Sequence, residues 1–197
     1  MQDSLTALLA LSAARHDHLC PRQVLGVRMG LAGLRLLDLS PSDPRKQLIV
    51  IAETDGCFAD GLEVATGASV GHRTLRIADL GKIAATFTDV HRECSIRLVP
   101  NPDVRSRAGE YTPNDNSQYF AQLTGYQRMP DDELFLIHRV ALNIPIKAIV
   151  SHPGVRATCS VCREEIINER EVLRDGQVLC RTCAGEGYYI PIFDPMP

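Results

Sequence analysis

The thiols of this chain are spaced for metal binding. Of seven cysteines in 197 residues, four fall near the C-terminus as two pairs, Cys159-Ser160-Val161-Cys162 and Cys180-Arg181-Thr182-Cys183. Each C-x-x-C turn aims two thiolates at one point, and a spacer of 17 residues lets two such turns close a tetrahedron around a d10 ion. The odd cysteine total argues against a disulfide framework, and thiols in a chain without an export signal stay reduced. The pattern predicts one structural zinc on Cys159, Cys162, Cys180 and Cys183, with a redox dithiol pair, or two unrelated pairs, as the alternative. Residues 156–190 hold too few large apolar side chains for an independent fold of that size, so the metal is expected to decide folding there. Between residues 156 and 197, five arginines and no lysine stand against seven acids. That balance speaks against phosphate binding and for a structural or protein-contact module.

A second cluster lies near the start. His16-Asp17-His18-Leu19-Cys20 places three soft or borderline ligands at i, i+2 and i+4, which an extended segment turns to one side. Cys57 offers a fourth from the predicted start of a helix, where the dipole and free N–H groups favour thiolate. Asp60, three residues on, is placed to bind a metal or to hold a ligand or water. Imidazole plus thiolate suits zinc, iron, nickel or copper, so the expectation is a second transition metal of open identity on His16, His18, Cys20, Cys57 and Asp60. The competing chemistry is a metal-free, reactive Cys57 activated by a histidine, the candidate catalytic residue. The plain reading is a solvated interhelix loop with two ordinary buried cysteines.

The elements that must position these groups follow from periodicity. Leu5, Leu8, Leu9 and Leu11 behind Ser4 predict a first helix over residues 4–15 that delivers the chain to His16. Pro21 at a first helical position starts a second helix running to about Leu39. Gly26, Gly30 and Gly33 line one side of it, which predicts close approach of another backbone or of a ligand. Gln47–Glu53 reads as a buried strand, Cys57 to about Thr66 as a helix, and Thr74–Asp79, Lys82–Asp89 and Cys94–Val99 as antiparallel strands. Ser117–Arg128 is a helix candidate, and Asp132–Val140 and Ile144–Val150 are expected to add strands. Ser151-His152-Pro153-Gly154 is the best linker, between a domain at 1–150 and a four-cysteine zinc module at 156–190. Arg174-Asp175-Gly176-Gln177 reads as a hairpin turn within that module. The fold class expected is α+β: N-terminal helices packed on a mainly antiparallel sheet, with a small C-terminal zinc-binding module.

Composition bounds the function. Apolar residues make up 45% and charged residues 23%, as in an ordinary globular chain. A formal charge of −3 gives no broad footprint for nucleic acid. The apolar runs are too short to span a membrane, and Met1-Gln2-Asp3 lacks the basic start of a signal peptide, so a cytoplasmic protein is expected. Weaker signals carry less. His91-x-x-Cys94 would face opposite sides of a strand, and Gly67-x-x-x-Gly71-His72 lacks both the spacing and the lysine of a phosphate loop. Asp131-Asp132-Glu133 reads as the acidic first turn of a helix or as a solvated loop.

Three motifs carry a family resemblance: His16-x-His18-x-Cys20-Pro21 followed by Leu25-Gly26-x-Arg28-Met29-Gly30; Glu53-Thr54-x-Gly56-Cys57-x-x-Asp60-Gly61; and Thr66-Gly67 with Gly81-Lys82. Over most of its length the chain resembles the FmdE-like family, named for the E-subunit of formylmethanofuran dehydrogenase, and Cys159 to Tyr189 is similar to the treble-clef zinc module that some members carry. Two positions depart: Ala68-Ser69 stands where many members have Cys-Thr, and Gly71-His72 where they have Gly-Lys. The resemblance implies an α+β domain, often dimeric, with a metal-compatible cleft, and it supplies no reaction. With the glycine face it predicts a homodimer, although that face would also serve packing inside one protomer. Two functional classes follow. One is a metal-binding accessory of molybdenum or tungsten formylmethanofuran dehydrogenase chemistry. The other is a regulatory or assembly adaptor whose zinc module contacts a protein partner, or less favourably nucleic acid, while the N-terminal domain senses a ligand.

Overall fold

Helix α1 (Gln2–Ala13) turns Leu5, Leu8 and Leu9 to the core and leaves Leu11 exposed. Extended Cys20 caps helix α2 (Pro21–Leu36), with Pro21 supplying a fixed φ at the first position. The computed structural model describes residues 2–16, 18–41, 46–113, 117–149 and 154–190, in two compact units, Met1–Ile146 and Lys147–Pro197.

In the first unit α2 packs against helix α3 (Cys57–Thr66) at backbone contact distance. A Cβ on Gly26 would stand 2.3 Å from the Phe58 carbonyl oxygen, and one on Gly61 would stand 2.5 Å from the Gln23 carbonyl oxygen. Gly30 faces Ala65, and Gly33 faces the Phe87 ring. The glycine face is therefore filled within the protomer, and the dimer expected from it loses that support.

Strands β1 (Leu48–Ala52), β2 (Leu75–Ile77), β3 (Ala85–Asp89), β4 (Cys94–Pro100) and β5 (Phe135–Val140) form one sheet in the order β2-β1-β3-β4-β5. Strand β1 is nearly all apolar because both its faces are covered, and β3 is buried along its whole length. The β1–β3, β3–β4 and β4–β5 pairs are antiparallel. Strand β2, expected to be antiparallel, lies parallel to β1, because α3 carries the chain back over the sheet as a crossover. Between β4 and β5 come the one-turn helix α4 (Val104–Arg107), a 3-10 turn (Ala108–Tyr111), helix α5 (Gln118–Arg128) and the one-turn helix α6 (Asp131–Leu134). The acids of α6 occupy its first turn as expected, so β5 begins only at Phe135. Residues Ile146–Ile149 are helical where a strand was expected; a short apolar run reads equally as strand or helical turn by periodicity alone. The core runs from Leu9 through Val24, Phe58, Leu62, Phe87 and Leu98 to Met129 and Leu134.

The second unit has two antiparallel hairpins, β6 (Arg156–Thr158) with β7 (Glu165–Ile167) and β8 (Val172–Arg174) with β9 (Gln177–Leu179), then a single helical turn at Thr182–Glu186. Asp175 and Gly176 both have positive φ, the geometry of a two-residue hairpin turn. Its buried centre is Cys159, Ile166, Leu179 and Ala184. Of the expected linker, residues 151–153 lie outside the described residues. Among the described residues, no helix is long and apolar enough to cross a membrane.

Candidate functional site

The four-cysteine cluster is built by two knuckles. The first follows β6, the second follows β9, and each ends a strand whose hairpin fixes its direction. The ligand atoms of Cys159, Cys162, Cys180 and Cys183 all lie within 4.8 Å of one another. Sulfurs held about 2.3 Å from one zinc stand about 3.8 Å apart in a tetrahedron, and Cys162 Sγ lies 3.8 Å from Cys180 Sγ. Backbone N–H groups point at the sulfurs: Cys180 N donates to Cys159 Sγ at 3.3 Å and Cys183 N to Cys180 Sγ at 3.4 Å. The Cys180 N–H is the main reason that the Cys159 thiol is lowered to about 6. Cys183 is pushed up to about 12, first by its hydrogen bond with the Cys180 sulfur and then by burial. Thiols packed this closely hold protons against one another until a cation supplies positive charge. The donor set and its spacing fit a metal ion.

The first unit builds a different site where two segments meet. The link from α1 to α2 supplies His16, His18 and Cys20, and the first turn of α3 supplies Cys57 and Asp60. Gly56 takes φ +69 with ψ −149, a conformation open to glycine, and so turns the chain from β1 into α3 with Cys57 leading. Buried Gln23 ties the link down: its Oε1 accepts from Cys20 N at 2.8 Å and its Nε2 donates to Ser12 O at 2.8 Å. His16 Nε2–H donates to Asp60 Oδ2. Arg15 pairs with Glu63 at 3.0 Å and stands 4.0 Å from Asp60 Oδ1. The Cys57 thiol faces Cys20; burial first, and Cys20 second, push it above its ordinary value. The lowering expected of a helix N-terminus is outweighed by desolvation.

The structure thus joins His16 to Asp60 and Cys20 to Cys57, while His18 is exposed on the same link. The ligand atoms of no three of these five residues lie within 4.8 Å of one another. His91 and Cys94 join no such group among the described residues either.

One group near this site could not be read from the sequence. Glu53, only 8% exposed, closes β1 three residues before Gly56. Its carboxylate accepts from Arg97 Nε at 2.5 Å and Nη2 at 2.7 Å. Its carbonyl accepts from Leu80 and Lys82. The Arg97 hydrogen bonds hold the Glu53 carboxyl below its ordinary range despite burial. Glu53 belongs to the second motif, but nothing local marks Arg97 as its partner across the sheet.

Residues 15–136, the span that folds into this geometry, match the family described as FmdE, molybdenum formylmethanofuran dehydrogenase operon. The chain belongs to the FmdE family. The matched span includes all five residues of the N-terminal site and ends before the four-cysteine unit. A probable S-adenosyl-L-methionine-binding protein of Archaeoglobus fulgidus is 28% identical over 96% of this chain and 56% of its own length. The chain therefore spans little more than half of that curated relative. The crystal structure of a tungsten formylmethanofuran dehydrogenase FmdE-like protein from Syntrophus aciditrophicus superposes with a TM-score of 0.59 at 17% identity, over 94% of this chain and 95% of that one. At that identity the likeness shows a shared fold.

Proposed function

We propose that this FmdE protein is a metal-binding accessory of formylmethanofuran dehydrogenase-type chemistry, with a structural zinc on Cys159, Cys162, Cys180 and Cys183 and a second transition metal taken up at the N-terminal site. The observation that carries the proposal is the His16–Asp60 contact, which joins the α1–α2 link to the first turn of α3 in the family core, where Cys20 also influences Cys57. Asp60 on Nε2 leaves Nδ1 as the ring nitrogen for a metal and fixes the imidazole, the usual role of a carboxylate behind a ligating histidine. Cys20 and Cys57 would supply thiolates, and exposed His18 a further imidazole. Loading requires these side chains to converge. A metal bound there would lower the Cys57 proton affinity that burial now raises.

The test is elemental analysis of the purified chain with Cys57→Ser beside it. Two metals per chain, falling to one in the variant, supports the accessory reading. One zinc in both would overturn it in favour of an adaptor, a reading that the exposed apolar side chains of the zinc unit support. Leu173 there is 74% and Tyr188 97% exposed, apolar side chains that a protein partner would cover.

A further inference from the structure

An open cavity of about 620 Å³ lies away from both thiol sites, between α1, α2 and the α5–α6 corner. Its lining includes Arg28, Arg35 and Arg128, with Asp131 as the only carboxylate among the described residues and Leu5 and Leu31 as apolar wall. Three guanidiniums against one carboxylate concentrate positive charge in a chain whose formal charge is −3.

The arginines are also held in place. Arg28, its side chain 12% exposed, donates to Tyr126 O at 2.6 Å, to Met129 O at 2.7 Å and to Asp131 Oδ1 at 2.6 Å. Arg35 pairs with the other oxygen, Asp131 Oδ2, at 2.8 Å. Arg128 donates one bond, to Tyr111 O at 3.1 Å. Arg28 is thus spent on the scaffold. Arg35 and Arg128 have each committed one of their five N–H donors to these partners, and both side chains are exposed.

We infer that this cavity is a binding site for a small amphipathic anion, a carboxylate or phosphate head on an apolar chain. Arg35 and Arg128 would hold the head, and Leu5 and Leu31 the chain. Asp131 fixes the Arg35 guanidinium in advance and the Tyr111 carbonyl holds that of Arg128, so that less side-chain freedom is lost when the anion arrives. Planar guanidiniums match carboxylate and phosphate oxygens in pairs. The volume lies in the range of small-molecule sites, roughly 300–1,000 Å³. None of these residues belongs to either proposed metal site, so the inference stands apart from the accessory reading.

The test is calorimetric titration of the full chain with octanoate, octyl phosphate, 1-octanol and inorganic phosphate, all below micelle-forming concentrations. The inference expects saturable one-to-one binding of octanoate, octyl phosphate or both, weakened by salt, with 1-octanol and inorganic phosphate each weaker by about tenfold or more. Which head binds more tightly tells carboxylate from phosphate recognition. Arg35→Gln should weaken binding by about tenfold, the effect of one charge-assisted hydrogen bond. Arg128→Gln, outside the Asp131 network, should do the same without disturbing the fold. Absence of binding by both octyl anions, equal binding of 1-octanol, or unchanged affinity in a folded Arg128→Gln variant would each overturn the inference.

Discussion

The two thiol-bearing units solve the same problem from opposite directions. In the C-terminal unit four cysteines converge around a buried centre that, among the described residues, is Cys159, Ile166, Leu179 and Ala184. The ligand cluster there is the core. In the N-terminal unit a continuous apolar core runs from Leu9 to Phe135, and beside it His16 pairs with Asp60 while Cys57 faces Cys20. Ligands that converge with the fold belong to a site that holds the fold together, whereas ligands paired among themselves are free to be spent on function.

Breaking the C-terminal cluster should have the largest effect. Cys162→Ser, or a strong chelator, should remove stabilisation of about 10 kcal/mol, the order of zinc-dependent folding in finger-sized units. Limited proteolysis should then cut within the second unit while the FmdE core stays resistant, and metal content should fall by one ion per chain. Unchanged metal content in Cys162→Ser would remove the contrast between the units.

A second way to sharpen the contrast is to damage the N-terminal core through its buried ion pair. Glu53→Gln leaves Arg97 unpaired among buried neighbours and should cost about 3–5 kcal/mol in a denaturant melt of the N-terminal unit. The pH dependence follows from the same group. Its folded carboxyl lies below its ordinary value, so its contribution is fully present above the unfolded carboxyl range near pH 4.3 and is lost as pH falls through the folded value. Asp131 acts in the same sense: burial pushes its carboxyl up, but Arg28 and Arg35 outweigh that and hold it low. Stability of the wild-type core should therefore decline on acidification below about pH 4, and Glu53→Gln should flatten part of that decline. An acid profile identical in wild type and variant would show that the pair contributes no linkage.

The helix seam offers a smaller test with a built-in control. A Cβ at Gly26 meets the Phe58 carbonyl oxygen at 2.3 Å, whereas one at Gly71 meets nothing within 4 Å. Gly26→Ala should gain about 1 kcal/mol of helix propensity but lose more to overpacking, about 2–3 kcal/mol. Gly71→Ala should leave the melting temperature nearly unchanged. Equal melting of the two variants would mean that α2 and α3 part easily, and that the seam does not set the spacing of the thiol pair.

How far the sequence could be read depended on how local each cause is. The knuckles and the Asp175-Gly176 turn are written in a few adjacent residues, and both stand in the structure as expected. The glycines of α2 announced a close approach because their spacing is helical, but α3 as the partner was invisible until Gly61 was found opposite Gly26. Strand β2 read as antiparallel because alternation carries no direction; the crossover by α3 decides it. The partner of Glu53 lies 44 positions away and that of Arg28 lies 103 away. No periodicity links residues at such separations. At the N-terminal site the residue types were legible, but their pairing was not, since an extended link that turns His16, His18 and Cys20 to one side is only one of the conformations open to it.

The smallest expected change in stability comes from Asp60, and it is the sharpest probe of what the N-terminal site is for. The His16 and Asp60 side chains are about a third exposed, at 33% and 28%, so their pair contributes at most about 1 kcal/mol. Asp60→Asn should melt within that margin of wild type. If the site takes a metal through His16, removing the carboxylate behind the imidazole should weaken metal binding by about 10–100-fold, read as loss of the second metal on dialysis while the ion on the four C-terminal cysteines is retained. A substitution that leaves the fold in place and selectively strips one of two metals separates a ligand-orienting carboxylate from a surface ion pair. If Asp60→Asn instead keeps both metals, Asp60 only anchors the α1–α2 link to α3, and the contrast between the units must rest on Cys20 and Cys57 alone.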